Sequence, residues 1–266
     1  MNIIGQKELF LLDMDGTVYL ENELIDGAKE FIETLIKTGR EYVFMTNNSS
    51  KSADAYLEKL EKIGLPAGKE NIFTSGMAAA LYIKQQKASP RIYLVGTRSF
   101  KKELIEQGIE VSEDGSGNID FVLVGYDTEL EYKKLEIACD LLCNGVPFLA
   151  TNPDVVCPAK NKRYLPDCAT ICYMLEKATG KTPFYIGKPR REMAMTAIDW
   201  KGSTVEKTAI VGDRLYTDIA CGKNAGVYSV LVLSGESTVE DIEKFGVTPD
   251  LICNSVADIT PQLLLN

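Results

Sequence analysis

The chain has 266 residues, 45% of them hydrophobic and 25% charged, with a formal net charge of −9. That length can hold one large domain or two modest ones, and the composition is that of an ordinary globular protein. The acidic balance argues against a general binder of nucleic acid or of membrane surfaces. The absence of histidine removes Ser-His-Asp and Cys-His catalysis, histidine phosphotransfer and His-ligated zinc.

Acid–base chemistry near neutral pH therefore falls to Asp, Glu, Lys, Tyr or Cys. Seven cysteines, an odd number without framework spacing, read as reduced thiols in a cytoplasmic protein. The opening MNIIGQKELF lacks the charged and apolar regions of a signal peptide. No apolar run approaches the roughly 20 residues that span a bilayer.

Short β-rich runs alternate with amphipathic stretches, which predicts an α/β fold built on a parallel sheet. LFLLDMD, residues 9–15, reads as a buried strand. Asp26 is expected to cap a helix with Ala28, Phe31, Ile32, Leu35 and Ile36 on one face, stopped by Gly39. EYVFMTNN follows as a strand with polar residues at its end. A helix is then expected from Ser52 to about Ile63. RIYLVGT, FVLVGYD and PFLATNPD predict strands at 91–97, 121–127 and 147–154, with helices near 98–107 and 129–144. DGSGN at 114–118 is a turn. A helix over about 167–179 precedes FYIGKP, a helix near 190–200, the strand TAIVGD, a short helix, and the strand YSVLVLSG. DLICNSVADI reads as a last strand.

Ligands of open parallel sheets bind beyond the carboxyl ends of the strands. Four strands here end in one kind of chemistry: Asp13-Met14-Asp15-Gly16-Thr17, Thr46-Asn47-Asn48, Lys188 before Pro189, and Gly212-Asp213 with Asp218 five residues on. Taken singly these have plainer readings. The acids can end a strand in water, Thr46 and Asn47 can form a turn, Lys188 can be a surface lysine and Asp218 can support a helix. Taken together they supply acids, an amine and donor groups, which suits phosphoryl transfer. Asp13 and Asp213 with one backbone carbonyl suit Mg²⁺, which prefers hard oxygen ligands. Lys188, Thr46 and the Gly16 backbone can neutralise and bind a phosphate. A carboxylate is a competent nucleophile toward phosphorus. A second carboxylate two residues on, on the same side of an extended strand, can protonate the leaving oxygen.

The sequence resembles the haloacid dehalogenase (HAD) superfamily: DMDGT matches its first motif, TNN its second, Lys188 its third and GDRLYTD its fourth. ATNPD, TGKTPFYIGKP and AIVGDRLYTDIACGKNAG resemble the subfamily of NagD-type and 4-nitrophenyl phosphatases, over nearly the whole chain. The resemblance implies a Rossmann-like core over 1–77 and 186–266, with an inserted α/β C2-type cap over 78–185. It implies Asp13 as nucleophile, Asp15 as general acid/base and carbonyl metal ligand, and Thr46 and Lys188 as phosphate-binding groups. It implies Asp213 as an Mg²⁺ ligand, Asp218 as support for the metal site and Asn47 in the phosphate pocket. Asp154, Pro166, Asp167 and Cys168 become candidate substrate contacts. This sequence has Cys-Ala after Pro-Asp where related caps carry smaller residues, so its pocket is expected to differ.

The expected activity is hydrolysis of a small phosphomonoester through an aspartyl-phosphate, with a homodimer through the cap as the implied assembly. The runners-up are a phosphotransferase or phosphomutase of the same superfamily, and a phospho-ligand sensor without turnover. A hydrolytic dehalogenase is disfavoured because paired acids suit a metal that dehalogenation does not use. Cys157-Pro-Ala-Lys-Asn-Lys-Arg163 has the Cys-x5-Arg spacing of cysteine-dependent phosphatases. Its proline and lack of glycine leave few N–H groups to converge on an anion. Cys139 and Cys143, four apart on a helical pattern, are expected to face a core or to be simply small apolar residues.

Overall fold

The computed structural model describes residues 2–159 and 163–265. The chain divides into two compact units, one of residues 1–46, 53–73 and 188–266, the other of residues 47–52 and 74–187.

Among the described residues the first unit's sheet has six strands, in the order Leu251–Cys253, Tyr228–Val232, Thr208–Gly212, Leu9–Leu12, Glu41–Thr46 and Ile72–Thr74. Leu9–Leu12 is central, runs parallel to both neighbours and is buried at every position. Such a run, LFLL, is apolar throughout because both faces of a parallel sheet are covered. Phe10, Phe31, Phe44, Ile32, Leu35 and Val211 lie in one core cluster. The regular strand stops at Leu12, so Asp15 lies in the following loop and an alternating strand does not set the geometry of the two acids. There Gly16 (φ +89°) turns the chain, and the N–H groups of Val18 and Tyr19 donate to Met14 O. Parallel pairing brings the loops after Leu12, Thr46, Gly212 and Val232 to one edge.

The second unit has its own parallel sheet, of five strands among the described residues. Their order is Phe184–Tyr185, Phe148–Ala150, Phe121–Val124, Arg91–Val95 and Glu110–Ser112. The helices Ser75–Gln86, Arg98–Glu106, Tyr132–Cys143 and Cys168–Thr179 accompany it. A core gathers Val95, Val122, Val124, Leu142, Ile171 and Leu175. The first two helices are capped by Thr74 and Thr97, whose hydroxyls accept from Met77 N and Phe100 N.

Several elements differ from the sequence expectation. The helix after Asp26 is Ala28–Lys37. Its cap position is Gly27, at φ +81°, without a side-chain cap, and Ile36 is exposed. Asp26 therefore does not cap. A Cβ on Gly27 would lie 2.5 Å from Ala257 Cβ, and only glycine suits both the space and the left-handed backbone. The strand Ile72–Thr74 and helix Ser75–Gln86 fall where no element is expected. SGMAAALY buries Ser75, Gly76 and three alanines, so the helix has no polar stripe to betray its period. The last strand is only Leu251–Cys253, followed by short helices over Val256–Asp258 and Thr260–Leu264. Asp127 and Asp154 lie in loops beyond shorter strands than expected.

Cys157 and Arg163 lie on the two strands of an antiparallel hairpin, Val156–Ala159 and Arg163–Pro166. Residues 160–162 between them lie outside the described residues. The next helix starts at Cys168, outside the Cys-x5-Arg segment, and its cap residue Asp167 sets a carboxylate near the Cys157 thiol. Burial, then Asp167, pushes that thiol up, against thiolate formation. None of the seven cysteines forms a disulfide, and Cys143 is exposed, not core-facing. Among the described residues no helix is long and apolar enough to cross a membrane.

Candidate active site

In the first unit, the loop after the central strand brings Asp13 to Lys188. Lys188 is 3% exposed, and its Nζ donates to Asp13 Oδ1 at 2.5 Å, to Asp218 Oδ1 at 2.6 Å and to Met45 O at 3.3 Å. One ammonium thus bridges two carboxylates and the end of the strand that carries Thr46. Burial alone would lower the lysine's pKa, but Asp13 and Asp218 reverse this and hold the amine protonated.

Asp213 follows the strand Thr208–Gly212 and is buried, as is Asp218 in the single π-helical turn Leu215–Ile219. Asp218 Oδ2 accepts from Thr217 Oγ1 and from Arg214 N. Carboxylate oxygens of Asp13, Asp213 and Asp218 all lie within 4.8 Å of one another. Burial, then Asp218, raises the pKa of both Asp13 and Asp213. Lys188 opposes the shift at Asp13, and the Glu236 N–H opposes it at Asp213. Acids crowded with too little positive charge resist ionisation together.

Asp213 Oδ2 accepts from Glu236 N at 2.8 Å, whereas Asp213 Oδ1 is buried without a hydrogen-bond partner among the described residues. A buried carboxylate oxygen left this way is costly. An orphaned hard oxygen within a repelling acid cluster fits a small dication, with Asp13 and Asp213 as carboxylate ligands and the adjoining Asp15 loop beside them. Asp15 itself is exposed and accessible to a bound molecule.

The other sequence candidates lie in the second unit, where a buried polar network joins most of them. Asn47 Nδ2 donates to Asp154 Oδ2 at 3.0 Å. Asn152 Nδ2 reaches the same oxygen at 2.9 Å and Asp167 Oδ1 at 3.2 Å. Ser49 and Thr151 hydroxyls share a 3.0 Å bond, and Tyr126 N donates to Ser49 Oγ. These bonds explain why residues 47–52 group with this unit and not with 1–77. Asp167 caps the helix Cys168–Thr179 by accepting from Cys168 N at 2.6 Å, and burial pushes its carboxyl up to about 6. Cys168 is fully buried in the unit's core, with its thiol donating to Val124 O; Pro166 is exposed. Cys168 is therefore a packing residue and presents no surface for a substrate.

The sequence reading misses Arg214 and Glu236. Arg214 sits inside GDRLYTD, beside Asp213, and Asp13 and Asp213 are the charges that most favour its protonated form, against burial. Glu236 pairs with Arg214 (Nε–Oε2 2.9 Å) and accepts from Tyr216 OH at 2.6 Å. Arg214 is flagged by its adjacency to a motif acid, whereas nothing in SGES flags Glu236.

The family model for haloacid dehalogenase-like hydrolases matches residues 10–110, and an HAD-hydrolase-like model matches residues 185–259. The acid sugar phosphatase of Staphylococcus aureus (strain MRSA252) is 36% identical over 244 residues, covering 92% of this chain and 93% of that protein. The 4-nitrophenylphosphatase of Thermotoga maritima superposes with a TM-score of 0.90 at 39% identity, covering 98% of this chain and 99% of that one. NagD from E. coli K-12 gives 0.87 at 32% identity, covering 95% and 98%. With the acid cluster, its lysine and the two-unit architecture, these likenesses place the chain among the HAD-like hydrolases, as a phosphatase of the group that contains NagD and the 4-nitrophenyl phosphatases.

Proposed function

We propose that the chain is an Mg²⁺-dependent phosphatase that hydrolyses a small phosphomonoester, a sugar phosphate or nucleoside monophosphate in kind, through an aspartyl-phosphate at Asp13. The observation that carries this reading is Lys188 bridging Asp13 and Asp218 beside the orphaned oxygen of Asp213. The sugar-phosphatase name of the Staphylococcus relative supports the substrate class. Seven cysteines without a disulfide suit a cytoplasmic setting.

In the first step a carboxylate oxygen of Asp13 attacks phosphorus in line with the ester oxygen. The P–O(ester) bond breaks as Asp15 gives its proton to the departing oxygen. Lys188 and the Thr46 hydroxyl hold phosphoryl oxygens while the charge rearranges. In the second step Asp15, now a base, takes a proton from water. The water oxygen attacks phosphorus, the acyl-phosphate P–O bond breaks, and inorganic phosphate leaves with Asp13 restored. A dication held by Asp13, Asp213 and the Asp15 carbonyl, with Asp218 in support, would screen the acids from the phosphate and draw charge from its oxygens. The second unit, residues 47–52 and 74–187, acts as the cap that selects the substrate, through Asp154, Pro166 and the Asn47–Asn152–Asp167 network.

The test is inorganic phosphate release from 4-nitrophenyl phosphate and a panel of small phosphomonoesters, without an added acceptor. Turnover should require Mg²⁺, cease in EDTA, and fall by on the order of 10³-fold or more in Asp13→Asn. Turnover surviving both EDTA and the substitution would sink the mechanism. Loss of the ester only with an added alcohol, the phosphoryl group appearing on that alcohol and not as inorganic phosphate, would make the protein a phosphotransferase.

A further inference from the structure

Asp213 is held by a loop outside all four strand-end motifs. Residues 234–237 follow the strand Tyr228–Val232 and wrap the Asp213 carboxylate. Glu236 N donates to Asp213 Oδ2 at 2.8 Å, and Ser237 N donates to Asp213 O at 3.1 Å. Ser237 Oγ accepts from Leu215 N at 3.1 Å, and Ser234 Oγ donates to Gly16 O at 2.8 Å, tying the loop to its neighbours on both sides. Gly235 approaches so closely that a Cβ there would stand 2.0 Å from Asp213 Oδ2. The Glu236 side chain turns the other way, pairing with Arg214 and accepting from Tyr216 OH. Arg214 and Tyr216 belong to the same segment as Asp213, so Glu236 grips that segment by main chain and side chain together.

The two oxygens of Asp213 are thereby made unequal. Oδ2 is occupied by the loop, whereas Oδ1 is buried with no hydrogen-bond partner among the described residues, in a side chain that belongs to the acid cluster. Oriented partners of a ligating carboxylate decide how well it binds, and removing one typically costs 10- to 100-fold in metal affinity.

We propose that Glu236 is a positioning residue for the metal site. Anchored on Arg214 and Tyr216, it keeps its N–H on Asp213 Oδ2 and so presents Oδ1 to the cation. This rests on the reading of the acid cluster as an Mg²⁺ site.

Calorimetric titration of chelator-treated protein with MgCl₂ tests it, on the wild type, Glu236→Ala, Glu236→Gln and Gly235→Ala, with melting in EDTA as the control for folding. Glu236→Ala should weaken Mg²⁺ binding about 10-fold while keeping its melting temperature in EDTA. Glu236→Gln, which retains an acceptor for Tyr216, should fall between it and the wild type. The Mg²⁺ concentration for half-maximal turnover should rise in step, with substrate KM at saturating Mg²⁺ unchanged. Gly235→Ala should weaken binding further; should it fail to fold, the Glu236 pair decides alone. Equal Mg²⁺ affinity in wild type and both Glu236 variants would overturn the positioning role and leave the metal site standing. A lowered melting temperature with unchanged affinity would make Glu236 a structural brace, also against the proposal. A wild type that binds no Mg²⁺ would overturn the site and this role together.

Discussion

Lys188 is the residue on which the site's electrostatics turn. Its ammonium separates Asp13 from Asp218, both placed where little water reaches them. Lys188→Met keeps the apolar stem and deletes the charge, leaving two carboxylates to repel each other. Breaking a buried pair in this way costs on the order of 3 kcal/mol. The expected result is a lowered melting temperature in EDTA at pH 8, a smaller deficit at pH 5 as the acids take up protons, and partial recovery with Mg²⁺. Turnover should fall about 100-fold or more, because a phosphate would lose its buried cation. A variant as stable as the wild type at pH 8 would show that the acids do not depend on this lysine. Sequence made Lys188 one of four strand-end signals, and Asp13 and Asp213 were legible with it because each follows an apolar run, Asp218 by its place five residues after Asp213. Glu236 was not, since its partners are known only once the loops after two strands have met.

At the level of elements, the helix Ala28–Lys37 separates what pattern reveals from what contact decides. Its buried face, Ala28, Phe31, Ile32 and Leu35, is legible from spacing, whereas its start is not, because Asp26 is a cap by residue type alone. Asp26→Ala, on an exposed side chain without a cap bond, should change stability by less than about 0.5 kcal/mol. Gly27→Ala should cost about 1–2 kcal/mol, since it strains the left-handed backbone and meets Ala257. Denaturant melts of the two variants check the contrast, and a costly Asp26→Ala would restore the capping interpretation. The helix Ser75–Gln86 escaped the pattern for the opposite reason: small residues let it be buried on most sides. The strand Arg163–Pro166 escaped because it is largely exposed and alternates weakly.

For the molecule as a whole, stability should carry a pH signature from Glu103 of the second unit. Its carboxyl is pushed up to about 7, by burial first, against one hydrogen bond from Thr74 Oγ1; its Oε2 is buried without a hydrogen-bond partner among the described residues. The folded state therefore holds this proton more tightly than the unfolded chain does. The cost of ionisation is absent below the ordinary glutamate range, grows as pH rises from about 4.5 towards about 7, and is full above that. Glu103→Gln should stabilise the protein at pH 8 by on the order of 1–2 kcal/mol and flatten the dependence between pH 5 and 7. Parallel stability curves for the two proteins would contradict this.

Gly16 and Gly235 come from loops at opposite ends of the chain, and a Cβ on either would collide with the same atom, Asp213 Oδ2, at 2.4 and 2.0 Å. Under mutation and selection both positions should behave as if they carried a functional side chain. Alanine and serine would fail there as surely as large residues, and the two sites adjoin, since a Cβ on Gly16 would also stand 3.1 Å from Gly235 Cα. A map of tolerated substitutions would then outline Asp213 from its surroundings, as a mould records the object pressed into it.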